Sequence, residues 1–145
     1  MADETTNNGA ATEAPPSFYP GLGRRKTAIA RLRLIPNGSG TWKINGGRTL
    51  EKYFEREQDR SSAASPFEVT STTGKFDVHV TCSGGGYAGQ AGAIRLALSR
   101  ALCKVSKDHE TLLRAQSFLT RDAREKERRK YGRRGARARF QFSKR

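Results

Sequence analysis

Apolar side chains recur at every second position in three short stretches of the chain. In residues 27–35, Ala28, Ala30, Leu32 and Leu34 alternate with polar positions that include Arg31 and Arg33, the mark of a strand with one buried face. Pro36, Asn37, Gly38, Ser39 and Gly40 form a turn, after which Trp42 and Ile44 alternate with Thr41 and Lys43. A two-stranded hairpin is predicted. Asn45, Gly46 and Gly47 end it, and residues 49–54 predict a short helix presenting Leu50, Tyr53 and Phe54 to the core. Residues 59–66, with three serines, two alanines and Pro66, predict a loop. Phe76, Val78, Val80 and Cys82 then alternate with Asp77, His79 and Thr81 as a third strand.

Past Gly84, Gly85 and Gly86 the period changes. Ala91, Ile94, Leu98, Ala101, Leu102 and Val105 share one helical face, with Arg100 and Lys107 opposite and Arg95 and Lys104 at the margins. A shorter helix includes Leu112 and Leu113, and from Arg121 onward the apolar pattern dissolves. The reading is a mixed α/β fold of the α+β kind: a leader over residues 1–20, one domain over 21–120 and a basic arm over 121–145.

Length agrees, since 145 residues with 34% apolar side chains support one modest core. Charge adds the partner. Against 14 acidic residues stand 28 Lys and Arg, a formal net charge of +14, which draws polyanions within a Debye length. RNA, DNA and an anionic membrane all present phosphate to such a chain. No stretch approaches the roughly 20 apolar residues of a membrane span, so a soluble protein is expected. The leader holds Asp3, Glu4 and Glu13 and no Lys or Arg; it reads as disordered and lacks the marks of a secretory signal or transit peptide. Cys82 and Cys103 stand apart from any C-x-x-C pattern, and His79 and His109 have no clustered carboxylates beside them. Buried thiols in reduced, cytosolic surroundings follow, with no metal and no cofactor.

Three segments carry candidate chemistry. The arm places Arg121, Arg124, Arg128, Arg129, Lys130, Arg133, Arg134, Arg137 and Arg139 along one segment, with no acid after Glu127. Guanidinium forks suit phosphate oxygens, and Tyr131, Phe140 and Phe142 suit stacking on bases. Spread by its own charge, the segment's last 18 residues would reach about 60 Å. Such an arm fits a folded RNA, which can wrap it on many sides. Arg24, Arg25 and Lys26 cluster where the first strand begins and, with Arg31 and Arg33 on its exposed face, suit a phosphate clamp. In Gly84-Gly85-Gly86-Tyr87-Ala88-Gly89-Gln90 the glycines either permit a tight strand-to-helix turn or cradle an RNA phosphate. The turn lacks the Gly-Lys-Ser/Thr ending of a nucleotide loop, so a kinase or ATPase reading is weak. A free nucleic-acid-binding module is the other alternative.

Gly23-Arg24-Arg25-Lys26-Thr27-Ala28, then Gly84-Gly85-Gly86 with Gly89-Gln90, then Gln141-Phe142-Ser143-Lys144-Arg145 together resemble the small-subunit ribosomal protein nine family over residues 21–145. The Ser-Lys-Arg ending resembles its bacterial and organellar branch. The resemblance implies a non-enzymatic constituent of the cytoplasmic ribosome, with a two-layer sheet-and-helix domain containing a left-handed crossover. It implies docking on small-subunit ribosomal RNA in the subunit head, beside neighbouring head proteins and without obligate self-association. The RNA-facing residues would be Arg24, Arg25, Lys26, Arg31, Arg33, Gly84, Gly85, Gly86, Tyr87, Gln90 and the arm. Ser143, Lys144 and Arg145 would touch the peptidyl-site tRNA. The leader lies outside the resemblance.

Overall fold

Eight elements follow one another as β1 (Tyr19–Arg25), β2 (Ala28–Pro36), β3 (Trp42–Ile44), α1 (Leu50–Tyr53), α2 (Glu57–Thr70), β4 (Phe76–Ser83), α3 (Tyr87–Val105) and α4 (Lys107–Ala115), in a computed structural model that describes residues 17–144. The strands form one sheet in the order β1-β2-β4-β3, antiparallel except for the parallel pair β3–β4. Ala28, Ala30, Leu32 and Leu34 of β2 and Val78, Val80 and Cys82 of β4 are buried against the helices. On the opposite face Arg31, Arg33, Lys43 and Thr81 are exposed. This is the alternation the sequence predicts.

The predicted hairpin of β2 and β3 does not form. β4 lies between them, matched to β2 from Ile29↔Ser83 to Pro36↔Phe76, while β3 pairs with β4's far side over three residues. The long ladder offers more backbone pairing than a three-residue strand could. Asp77 on β4 redirects the chain: its carboxylate accepts from the amides of Ser39 (2.9 Å) and Thr41 (2.8 Å). The loop is thereby drawn across the end of β4, and β3 starts on its other side. The Thr41 amide, chiefly, holds that carboxyl below the usual carboxylate range.

The predicted loop over residues 59–66 is instead part of helix α2, with Pro66 inside it. Interior proline costs a helix about 3 kcal/mol because it lacks the N–H and crowds the preceding turn. Here the orphaned Ser62 carbonyl accepts from Ser65 Oγ at 3.0 Å, and burial of Ala63, Pro66 and Phe67 compensates. Phe67 packs edge-on to Trp42 and stacks on Phe76.

β1 has no apolar alternation, because its buried positions are Gly21 and Gly23. A Cβ on Gly21 would overlap the Ala97 carbonyl, and one on Gly23 the Ala93 carbonyl. Strand and helix therefore meet at backbone distance, glycine against alanine. The basic side chains of α3 close the strand's outer edge: Arg100 Nη1 donates to the Leu22 carbonyl and Lys104 Nζ to the Pro20 carbonyl, each at 2.8 Å. Occupied edge carbonyls cannot recruit another strand. β1 also takes in Tyr19 and Pro20, the last two residues of the expected leader; residues 1–16 lie outside the described residues.

α3 begins four residues ahead of its first predicted core position and buries Ala91, Ile94, Leu98, Ala101 and Leu102 as expected. Ala93, Leu96 and Ala97 are buried as well, since α3 is covered by β1 on one flank and by α2 and α4 on the other. Leu113 of α4 is buried and Leu112 is exposed. Cys82 is buried and Cys103 half-buried; burial pushes the Cys82 thiol up to about 11, consistent with an unreactive core thiol.

Candidate nucleic-acid interface

The β1–β2 turn at Lys26 and Thr27 and the β4–α3 turn at Gly84 and Gly85 lie against each other. Gly84 and Gly85 have φ of +70° and +65°, a region open to glycine at little cost. A Cβ on Gly84 would sit 2.6 Å from the Thr27 carbonyl oxygen, and one on Gly85 2.9 Å from Ala28 Cβ. The structural role of these two glycines is thus accounted for by conformation and by space. Gly86 differs: it has ordinary φ, and nothing lies within 4 Å of where its Cβ would be. It leaves the start of α3 uncovered beside the exposed Tyr87.

Gln90 is committed to the fold. Its Nε2 donates to the Gly84 carbonyl at 3.0 Å, and its Oε1 accepts from Tyr53 Oη at 2.6 Å. Asn45 donates to the same Tyr53 oxygen (3.2 Å) and to the Cys82 carbonyl (3.0 Å), and accepts from the Cys82 amide (2.8 Å). This chain of amides and a phenol ties β3, α1 and α3 to the glycine turn and fixes its shape. Burial, chiefly, raises the Tyr53 phenol above its ordinary value, so it remains a donor.

Arg24 and Lys26 are exposed beside these turns. Arg25 lies across α3, with Nη1 3.4 Å from the Ala88 carbonyl and Nη2 3.5 Å from Asp122 at the root of the arm. Asp122 is gripped more firmly by Arg124, through Nε at 3.0 Å, Nη2 at 2.9 Å and the backbone amide at 3.1 Å. The Arg124 fork holds the Asp122 carboxyl well below the usual range. Arg25 therefore ties the arm's root to the domain beside the β1–β2 turn, and the Arg124 fork shapes the root within the arm. Neither this role of Arg25 nor Asp122 was legible in the sequence, because Arg25 and Asp122 stand at opposite ends of the domain.

The open sheet face is a second cationic surface. Arg33 on β2 is level with His79 on β4, and His79 with Lys43 on β3. Arg31 lies two positions along β2, between Leu22 and Thr81, and Arg33 sits over the Phe18 ring at 5.4 Å. Lys43 and His79 were absent from the expected set. Their alternation was visible, but not that β4 would bring them into Arg33's row.

The arm is not extended throughout. Residues 121–130 have no regular structure, and 131–137 turn. Arg121 is 3.9 Å from Glu125, and Arg129, Arg133 and Arg137 bond within the arm. Arg128, Lys130, Arg134, Arg139, Ser143 and Lys144 are exposed, as are Tyr131, Phe140 and Phe142. Arg145 lies outside the described residues. Among the described residues, no group of His, Cys, Asp and Glu could hold a metal ion, and no helix is long and apolar enough to cross a membrane.

A basic α/β domain with a cationic turn end, an open cationic sheet face and an arm rooted beside the β1–β2 turn has the form suited to a polyanion partner. Comparison with known proteins narrows it. The model of the family described as "Ribosomal protein S9/S16" matches residues 23–145. The chain is 56% identical over 124 residues to the small ribosomal subunit protein uS9 of Gemmatimonas aurantiaca, covering 86% of this chain and 95% of that one. It is 53% identical over 128 residues to the uS9 protein of Lawsonia intracellularis, covering 88% and 97%. With that of Anaeromyxobacter dehalogenans the identity is 51% over 124 residues, covering 86% and 94%. The chain belongs to the ribosomal protein S9/S16 family, in its bacterial form. It is a structural ribosomal protein of the cytoplasmic ribosome and not an enzyme, so the nucleotide-using alternative for the glycine turn is set aside.

Proposed function

We propose that the protein binds small-subunit ribosomal RNA in the subunit head and that its C-terminal tip contacts the peptidyl-site tRNA. The observation that carries this reading is the convergence of Arg24, Lys26, Gly86, Tyr87 and the arm root at one end of the domain. A phosphate approaching Gly86 meets the amides at the start of α3 with no side chain in the way. Arg31 and Arg33 would take a second stretch of backbone, and the arm a third. Gly84, Gly85 and Gln90 then shape the phosphate site from behind, and Arg25, through Asp122, holds the arm's root. Phosphate recognition is indifferent to base sequence, which suits a tip of Ser143, Lys144 and Arg145 that must accept every tRNA. Neighbouring head proteins complete the surroundings, and no self-association is needed. The crossover from β3 through α1 and α2 to β4 is assigned the left-handed sense of the family.

The test is to fractionate ribosomes from cells carrying tagged full-length protein or a form ending at Phe142, and to quantify peptidyl-site tRNA on the isolated small subunits. Both forms are expected to enter the subunit, with the shortened one holding tRNA less well. Equal tRNA retention by both would overturn the tip's role, and failure of full-length protein to enter subunits would overturn the RNA reading.

A further inference from the structure

Glu127 is the last acid of the chain, and cations surround it. For binding a polyanion by charge alone it is a liability, because it cancels one of the arm's positive charges. Its geometry suggests another use. Arg137, ten residues on, meets it as a fork: Nη2 lies 2.6 Å from Oε1 and Nε 3.0 Å from Oε2. Inside the span so closed, Arg133 Nη1 donates to the Arg137 carbonyl at 3.0 Å and Arg129 Nε to the Arg133 carbonyl at 3.4 Å. The amides of Arg134 and Gly135 both reach the Ala138 carbonyl, at 3.0 and 3.4 Å. Gly132, with φ of +66°, makes the bend. Three arginines are thus turned onto the arm's own backbone or acid.

The other four cations between Glu127 and Phe140 differ. The side chains of Arg128, Lys130, Arg134 and Arg139 are exposed and have no hydrogen-bond or ion-pair partner among the described residues. Tyr131 stands almost fully exposed beside them. A segment of such charge would otherwise repel itself into extended forms, and a partner would then bear the whole entropic cost of ordering it. A forked guanidinium–carboxylate pair fixes direction as well as distance.

We propose that Glu127 is a positioning residue: with Arg137 it closes residues 127–138 into a loop that presents Arg128, Lys130 and Arg134, with Arg139 just beyond its end, to RNA phosphates. Arg129, Arg133 and Arg137, expected from sequence to face RNA, build the loop instead. The inference rests on the RNA-binding reading above. An exposed ion pair adds little stability by itself; its effect is on the shape in which the arm meets RNA, by lowering the cost of ordering on binding.

The sign of one substitution separates the two uses of Glu127. Full-length E127Q, R137K and the double variant are compared with wild type for binding to purified small-subunit ribosomal RNA at moderate salt. E127Q gains net positive charge, yet is expected to bind about three- to tenfold more weakly, with R137K losing a similar factor and the double variant little more than either. In the wild type, the Arg137 Nε–H resonance is expected to be slow to exchange with water, and in E127Q fast. Tighter or unchanged binding by E127Q, additive losses, or an Arg137 resonance indifferent to E127Q overturns the loop. Wild-type protein that fails to bind this RNA overturns the underlying RNA reading, a result distinct from each of those.

Discussion

Domain and arm carry the same kinds of charged residue and use them in opposite ways. In the domain, position is set by contact between uncharged atoms: Gly21 and Gly23 against the carbonyls of Ala97 and Ala93, and Gly85 against Ala28. Its cations lie outside, on the sheet face at Arg31, Arg33 and Lys43, or across an edge, as Arg100 and Lys104 do on β1. The arm has no core, and its large apolar side chains, Tyr131, Phe140 and Phe142, are exposed. Here two acids set position: Asp122 by holding Arg25 and Arg124, and Glu127 by holding Arg137. A methyl group decides the geometry of one region, and a carboxylate decides that of the other.

The contrast breaks most visibly at Gly23. Substituting valine drives a branched side chain into the Ala93 carbonyl, where neither backbone can retreat. The cost should reach or exceed the about 1 to 3 kcal/mol typical of overpacked cores. Urea titration of the isolated protein should show a sharply lowered midpoint or no folded baseline, and a wild-type midpoint would disprove the close-approach account of β1.

Changing Arg128, Lys130, Arg134 and Arg139 together to glutamine should do the reverse. The unfolding midpoint should stay at the wild-type value. The slope of log affinity for ribosomal RNA against log salt should fall by about 3, because each phosphate that is no longer neutralised removes about 0.7 to 0.9. An unchanged slope would mean that these four side chains do not meet phosphate.

The smallest effect concerns a domain site where a carboxylate does set position. Asp77 has its pKa lowered by the Thr41 amide. A carboxyl depressed in the folded state stabilises fully above its unfolded value of about 3.9, and this is lost as pH falls through the lower folded value. Wild type should therefore be more stable than Asp77→Asn at neutral pH, and the gap should narrow only below about pH 4. A gap unchanged down to pH 2 would show that hydrogen bonding alone, without charge, holds the crossing loop.

Local sequence carried those features whose cause is local. Alternation in β2 and β4 identified the buried face because successive side chains on a strand must point opposite ways. The helical face of α3 and the absence of any core pattern after Arg121 were legible for the same reason. So were the basic clusters and the motifs that mark the family, which are strings of neighbours. Pairing was not legible. Nothing near Trp42 says that β4 will separate β3 from β2, because a carboxylate more than thirty residues away draws that loop across. Pro66 argued against a helix on local grounds, and burial of Phe67 and its neighbours overruled it. β1 was invisible because glycine carries no hydropathy signal, and the reason for glycine there is a helix some seventy residues on. The division of the arm's cations into those that build and those that point outward was likewise hidden, since identical arginines differ only in what the folded chain brings within reach. Composition and period determined the kinds of element at β2, β4 and α3 and the basic character, and short motifs carried the resemblance to the family; only the tertiary structure decided which elements touch and which charges face outward, because close approach and directed ion pairs are properties of pairs of residues far apart in the chain.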